Sequence, residues 1–327
     1  GRYHKAINNM KNIKIQLATI VAILLCLGAH AQQDAGFSMY FFNPLYVNPA
    51  YAGTRALLSG VLVHRSQWIG MDGAPTTQSL TLHSAIPGTR VGLGLQIYND
   101  QAGPLHNTGI NMTYAYHLPV NERTKVSFGI TGMVNNISVG WSSINVEHPA
   151  DPAFTGNAAT SWVGDASAGV YLYKTRFYAG VSVNHLLQSR FGMEQEPGAE
   201  RAKFFRQYNL MAGYVLPLKE NIAFMPCILV KYVNAAPIVG EVNGIFVFYD
   251  RLYLGAGYRA GKRIQISGTD HMLIGIAKLD ITPNLHIGYS YDVYLSQNGA
   301  YNNGTHEVML GCDINRKNGK GWNRRYF

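Results

Sequence analysis

His83 lies between Ser79 and Ser84. An imidazole beside a hydroxyl is the raw material of a hydrolase, because the ring can take the proton of a nucleophilic oxygen. These three residues are the least unsuited set in the chain for that chemistry, yet no GxSxG or HExxH arrangement accompanies them. Gly92-Leu93-Gly94 has the glycine spacing of a phosphate-binding turn, but no helix follows to bind the anion. Among the 11 histidines, His64, His117, His185, His271, His286 and His306 stand singly on strand-like stretches. Of the three cysteines, Cys26 lies in an apolar leader, and Cys227 and Cys312 form no CxxC pattern. Their spacing leaves open whether those two pair. The sequence therefore predicts no enzyme, no cofactor and no metal site.

Charge excludes another class. The formal net charge is +9. Four Lys or Arg residues (Arg2, Lys5, Lys11, Lys14) fall in residues 1–31, and five (Arg316, Lys317, Lys320, Arg324, Arg325) in 315–327, with no acid in either stretch. Setting those nine aside leaves 18 basic residues against 18 acidic ones. A nucleic-acid surface needs its basic excess on the folded body, so no nucleic-acid partner is expected.

The elements that must carry any site are strands. Leu285–Leu295 alternates: Leu285, Ile287, Tyr289, Tyr291, Val293 and Leu295 share one face, and His286, Gly288, Ser290, Asp292 and Tyr294 the other. Its 11 residues match the roughly 9–11 that a tilted transmembrane strand requires. The same alternation recurs at 91–98, 165–172 and 252–259. Segments 224–230 and 245–249 are apolar throughout and support a strand less well. Fourteen strands are predicted, at 55–68, 76–86, 89–99, 105–118, 123–140, 162–173, 175–185, 203–217, 220–232, 237–249, 251–261, 269–280, 283–296 and 304–314. Long connections (69–75, 100–104, 141–161, 186–202, 262–268, 297–303) alternate with tight ones (87–88, 119–122, 174, 218–219, 250, 281–282), with 233–236 the least regular. Short turns at one end and longer loops at the other are the habit of outer-membrane barrels. The fold class expected is an all-β, antiparallel, up-and-down transmembrane barrel. Its oily face meets lipid, its polar face lines the interior, and both termini lie in the periplasm. Trp68, Tyr98, Trp162, Tyr232 and Tyr258 are placed at the headgroups.

Ahead of the barrel, Met10 reads as the start. Lys11, Lys14, the apolar run Ile15–Gly28 and Ala29-His30-Ala31 form a secretory signal cleaved after Ala31, so residues 1–31 are an upstream extension plus leader. Residues 32–54 carry Asn43-Pro44 and Asn48-Pro49, which forbid regular structure, and six aromatics. That much apolar surface must be covered, so 32–54 is expected to be a plug or strap; a partner-docking role is the sharper alternative. Residues 55–314 form the barrel and 315–327 a basic periplasmic tail.

FFNPLYVNPAYAGT (41–54), RSQWIGMDGAPTTQSLTLHS (65–84), VGLGLQIYNDQAGP (91–104), TYAYHLPV (113–120), YAGVSVNHLLQ (178–188) and HEVMLGCDI (306–314) resemble the PorP/SprF family over nearly the whole mature chain. The resemblance implies a non-enzymatic outer-membrane barrel of a Gram-negative bacterium, tied to type IX secretion and gliding motility. It implies contact with periplasmic or outer-membrane secretion subunits and with a large secreted or adhesin-like surface protein. The residues it singles out are Asn43, Pro44, Asn48, Pro49, Tyr51, Gly53, Arg65, Trp68, Gly70, Gly73, Pro75, Asp100, Gly103 and Pro104. Arg65, Trp68, Gly70, Gly73 and Pro75 are read as a loop whose Trp anchors a partner or sits at the interface. Asn99–Pro104 is read as a turn-rich outer loop. The loops holding Trp141, Phe154, Arg190, Phe191, Glu194, Glu196, Glu200 and Arg201 are long enough to be functional. The alternative function is a small-solute channel.

Overall fold

The computed structural model describes residues 36–55, 58–140, 159–191, 202–234, 236, 238–262, 269–295 and 302–314. The leader, the basic tail and most of loops 141–161 and 186–202 lie outside them, including Trp141, Phe154, Glu194, Glu196, Glu200 and Arg201. The strands are β1 (Leu58–Ser66), β2 (Thr76–Ala85), β3 (Val91–Ala102), β4 (Leu105–Pro119), β5 (Lys125–Val139), β6 (Ala159–Tyr173), β7 (Phe177–Asn184), β8 (Arg190–Phe191), β9 (Ala202–Lys203), β10 (Gln207–Tyr214), β11 (Leu216–Lys219), β12 (Ile222–Val233), β13 (Ile238–Phe248), β14 (Leu252–Lys262), β15 (Thr269–Asp280), β16 (Leu285–Tyr294) and β17 (Thr305–Ile314).

β8 and β9 pair only with each other. β10 and β11 both pair with β12 and are two parts of one wall strand. The wall therefore has the fourteen antiparallel strands that alternation predicted. It closes where β1 runs against β17, from Leu58 opposite Ile314 to Ser66 opposite His306. The break between β10 and β11 has a local cause. Gly213 faces Cys227 and Leu216 faces Phe224, so the break falls opposite Pro226, which has no N–H to give the ladder.

The turns at 87–88, 119–122, 174, 218–219, 250 and 281–282 lie at one end of the barrel, together with Leu58 and Ile314; this is the turn end. The longer connections lie at the other, the loop end, with one correction. Asn99–Gln101 are not loop residues. β3 runs on to Ala102, which pairs with Leu105, so Gly103-Pro104 alone makes the turn. Polar residues continue the strand because their side chains find cross-strand partners: Thr108 Oγ1 donates to Asn99 Oδ1 (2.9 Å) and Thr77 Oγ1 to Asp100.

Side chains alternate along the wall as predicted. Leu93, Ile130, Val242, Leu254 and Ile287 face outward and are exposed. Among the described residues, no Asp, Glu, Lys or Arg takes an outward wall position between the strand ends. That fits a hydrocarbon surround, where Arg or Lys at mid-depth costs about 2–4 kcal/mol. Outward His306 is bonded by Tyr289 (Oη to Nδ1, 2.7 Å), and His271 pairs with Tyr258 in the same way. Tyr98 corrects the headgroup assignment: it points inward, and its hydroxyl donates to Asn135 Oδ1 (2.8 Å). Cys227 is buried inside and Cys312 is exposed outside, and both are free thiols.

The lumen holds the chain's own residues 36–54. This strap makes three single turns of 3-10 helix, Tyr40–Phe42, Pro44–Tyr46 and Pro49–Tyr51. Phe37, Tyr40, Phe41, Phe42, Leu45, Ala50 and Tyr51 are all buried. Its presence explains the unusual strands. On β12 and β13 the inward residues Met225, Leu229, Ile245 and Val247 are apolar because they pack on the strap rather than on water. Elsewhere the wall supplies glycine. A Cβ on Gly129 would overlap Ala50, and one on Gly169 would overlap Asn48. We therefore expect Gly169→Val to unseat the strap, exposing residues 36–54 to protease in the detergent-solubilised barrel. Gly275→Ala, whose Cβ would meet nothing nearer than 3.9 Å, should leave the strap protected.

Candidate functional site

The strap descends the lumen from the loop end toward the turn end. Near the loop end, Glu307 of β17 accepts the backbone N–H groups of Ser38 (2.8 Å) and Met39 (2.9 Å). Arg65 of β1 bridges Glu307 through Nη1 (2.8 Å) and Asp292 of β16 through Nη2 (2.7 Å). Ser38 Oγ donates to Asp292 (2.8 Å) and accepts from Arg259 Nη2 (3.0 Å). Arg259 in turn pairs with Glu241 through Nε (2.6 Å). Arg65 is 1% exposed and its two carboxylate partners are fully buried. Charges so buried persist only when paired and hydrogen-bonded, and here the strap's own backbone supplies two of the donors.

Farther down, the strap motif residues Asn43, Asn48, Tyr51 and Gly53 each have a wall partner. Asn43 Nδ2 donates to Thr81 Oγ1 (3.0 Å). Asn48 Oδ1 caps the third turn by accepting from Ala50 N (2.9 Å), while its Nδ2 reaches the wall carbonyls of Val170 (3.0 Å) and Val181 (3.1 Å). Only an amide both accepts and donates in this way. Pro44 and Pro49 start the second and third turns, where a missing N–H is harmless. Tyr51 packs edge-on against His83 and Tyr171. Gly53 has φ +75°, and its N–H donates to His83 Nδ1 (3.3 Å). His117 bonds the carbonyl of Ala52 (2.9 Å), and Ser127 donates to that of Ala50 (2.6 Å). Lys278 lies over the Tyr253 ring (4.2 Å) and the Phe42 ring (5.2 Å), a cation–π arrangement.

The hydrolase set is not assembled. Ser79 and His83 both point inward but stand four residues apart on one strand, about 13 Å, and Ser84 takes the opposite face. His83 is instead engaged with the strap.

Trp68, Gly70, Gly73, Pro75, Gly103 and Pro104 gather at the loop end. Gln67 N–H donates to Pro75 O (2.9 Å) and closes the loop. Gly103 N–H donates to Gly73 O (2.9 Å), stitching it to the β3–β4 hairpin. Ile69 N–H to Gly304 O (3.0 Å) and Asn303 N–H to Ile69 O (2.8 Å) stitch it to the β16–β17 connection. Gly70, Gly73 and Gly103 all have positive φ, as does Trp68 itself (48°). This rim holds Trp68, Ile69 and Met71 exposed at its crest, with Trp68 edge-on to Tyr294 at 6.4 Å. Arg65 is the correction here: it belongs to the lumen clamp, not to the loop. Asp100 lies inward on β3. Arg190 and Phe191 form β8, where the Phe191 ring packs tilted against Phe204 at 4.9 Å.

Sequence reading missed Ser38, Glu241, Arg259, Asp292 and Glu307 as one site. For the four charged members the available signal was an acid or base at an inward strand position, since a charge placed there requires a partner; Ser38, an uncharged strap residue, carried no such signal. What pairs with what depends on closure, which brings together residues up to 269 apart in sequence.

With the barrel and strap placed, the family can be decided. A model described as "Type IX secretion system membrane protein PorP/SprF" matches residues 29–312. The chain belongs to this family. That match takes in both the strap and the rim. A search of curated proteins finds no match. Among solved structures, the "CymD monoaromatic hydrocarbon channel" is similar with a TM-score of 0.51 at 12% identity, covering 88% of this chain and 94% of the other. The Ralstonia pickettii toluene transporter TbuX is similar at 0.51 and 10%, covering 88% and 95%. The TodX deltaS2S3 mutant monoaromatic hydrocarbon channel is similar at 0.52 and 10%, covering 86% and 95%. Identities this low establish the shared barrel fold alone. This PorP/SprF protein is thus an outer-membrane-type barrel of the type IX secretion system.

Removing one member of the PorP/SprF clamp leaves a buried charge unpaired. Arg65→Ala should lower the unfolding free energy by about 3–5 kcal/mol, measured by urea unfolding in detergent. A change below 1 kcal/mol would mean the clamp is solvated.

Proposed function

We propose that this protein is a non-enzymatic docking barrel: it sits closed in the outer membrane and binds a secreted or adhesin-like surface protein at its loop-end rim. The loop end faces outward and the turn end, with Ile314, faces the periplasm, where secretion-system subunits are met. The observation that carries the reading is the strap. A lumen occupied along its length by an internal segment, hydrogen-bonded to β2, β4, β5, β6, β7 and β17, is built for closure rather than conduction. The rim supports the docking half. Its backbone is stitched in three places, so Trp68, Ile69 and Met71 are held ready and little ordering is needed on binding.

Affinity purification from detergent-solubilised membranes should recover a secretion component or an exported protein. Trp68→Ala should weaken that capture by about 2 kcal/mol, roughly thirtyfold in Kd. Recovery of neither class would overturn the reading. Planar-bilayer recordings separate it from the small-solute channel: the wild-type barrel should be silent, and steady conductance would favour the channel.

A further inference from the structure

β6 outruns one of its two neighbours. On one side it pairs with β5 along its whole length, from Tyr173 opposite Lys125 to Ala159 opposite Val139. On the other side β7 stops early, and the last pair is Ala168 with Val183. Asp165 ends that ladder. Its carboxylate accepts the N–H groups of Ala166 (2.7 Å) and Leu187 (3.0 Å) and meets His185 Nδ1 (3.2 Å). His185 (φ +56°) and Gln188 (φ +51°) take the chain out of strand conformation. The strand that follows, β8, pairs only with β9.

Thr160–Gly164 of β6 is thereby left with one side open. Lys174 N–H donates to Phe177 O (2.8 Å), and Ala166 O accepts from Leu186 N–H (2.8 Å). Main-chain groups of an antiparallel strand alternate between its two neighbours, so the even-numbered residues of β6 address the β7 side. At Gly164 the carbonyl still takes the Ser189 hydroxyl. Among the described residues, nothing bonds the N–H of Gly164 or the N–H and C=O of Trp162 and Thr160 on that side.

Height and composition make this edge a docking surface. Trp162 stands 11 residues up β6 from Tyr173, roughly 36 Å of strand, or about 28 Å of height at a tilt of ~40°. The apolar band of such barrels is about 25 Å tall. The open edge therefore clears the hydrocarbon, where unpaired main chain is not tolerated, and meets water at the loop end. Natural sheets blunt such edges with Pro and Lys. β11 obeys that rule at the turn end: beyond Val215, whose N–H donates to Arg176 O, its free side carries Pro217 and Lys219. Thr160–Gly164 has no Pro and no charge, and its Thr, Trp and Val favour strands. Trp162 is 73% exposed, more than any other large apolar residue described. A row of alternating main-chain donors and acceptors at strand spacing is complemented by the backbone of another strand.

We propose that Thr160–Gly164 is a strand-addition site, where an extended segment of the exported protein pairs with β6 and sets an apolar side chain beside Trp162. This rests on the docking role proposed above; it adds a second contact, away from the rim, and gives the form the partner takes there. The test places the photo-crosslinker p-benzoylphenylalanine at Thr160 or at Trp162 of the full-length barrel in cells and maps the crosslinked peptides. Both positions should capture one segment of an exported protein, at residues two apart, because side chains on one face of paired strands step by two. Thr160→Pro removes one edge donor and leaves the β5 ladder intact. It should lower the crosslink from position 162 about tenfold, whereas Thr160→Val should keep it. Heat-modifiable gel migration checks folding in each case. Crosslinks to a second copy of the barrel, to its own residues 192–201 or to a protein that is not exported overturn the proposal. So do capture without the two-residue step, no crosslink at all, or a folded Thr160→Pro barrel that crosslinks like the wild type. If affinity purification still recovers an exported protein in those cases, the edge site falls and the docking role stands; if it recovers none, both fall.

Discussion

A sheet in hydrocarbon has no water to satisfy its edges, so its two edge strands must bond each other. The pairing of β1 with β17 does this, and the rest of the molecule follows from it. Eight strands enclose a space that wall side chains can fill, and fourteen enclose more. Something else must occupy the centre or water must. In this chain it is residues 36–54, and their irregular path is what their composition allows. The two Asn-Pro pairs rule out a helix or strand, and single turns of 3-10 helix let successive aromatics point to different sides of the lumen.

The strap is held by two kinds of force with separate roles. Its aromatic residues fill space: burying a Phe, Tyr or Leu side chain is worth about 1.5–3 kcal/mol each, and that burial is the main source of stability. The clamp of Arg65, Asp292, Glu307, Arg259 and Glu241 adds little net energy, because desolvating five charges offsets most of their attraction. It contributes position instead. Glu307 accepts two consecutive backbone N–H groups, an arrangement that a strap shifted by one residue would not reproduce. Aromatic packing alone tolerates such sliding; the clamp does not.

Much of the wall was legible because lipid imposes a simple rule on one face and the lumen another on the other. Where both faces became apolar, as on β12 and β13, alternation faded for a physical reason: the inward side meets Phe42, Tyr40 and their neighbours rather than water. Asn99–Gln101 misled because Asn and Asp usually mark turns, whereas here both neighbouring strands pair with them, Thr76–Gln78 on one side and His106–Thr108 on the other. Arg65 misled because it adjoins a loop in sequence while its side chain turns inward. The motif residues Asn43, Asn48 and Gly53 were visible as a block, but their wall partners were not. Those partners are strand backbones and side chains whose proximity exists only after closure.

The motif residues divide between two ends of the barrel, and β1 joins them. Arg65 is in the clamp and Trp68 is at the rim, three residues apart, roughly 10 Å of chain. β1 is also one partner in the closing seam. Its inward face holds the strap in register, its pairing with β17 seals the ring, and its last residues lead into the stitched loop. The connection is reciprocal. Asp292 and Glu307 belong to β16 and β17, whose connection carries Asn303 and Gly304, and these bond the rim through Ile69. A load on the rim is therefore borne by the same two hairpin ends that hold the clamp. Lumen and rim thus meet at one corner of the barrel, and the family match spans the residues that build both.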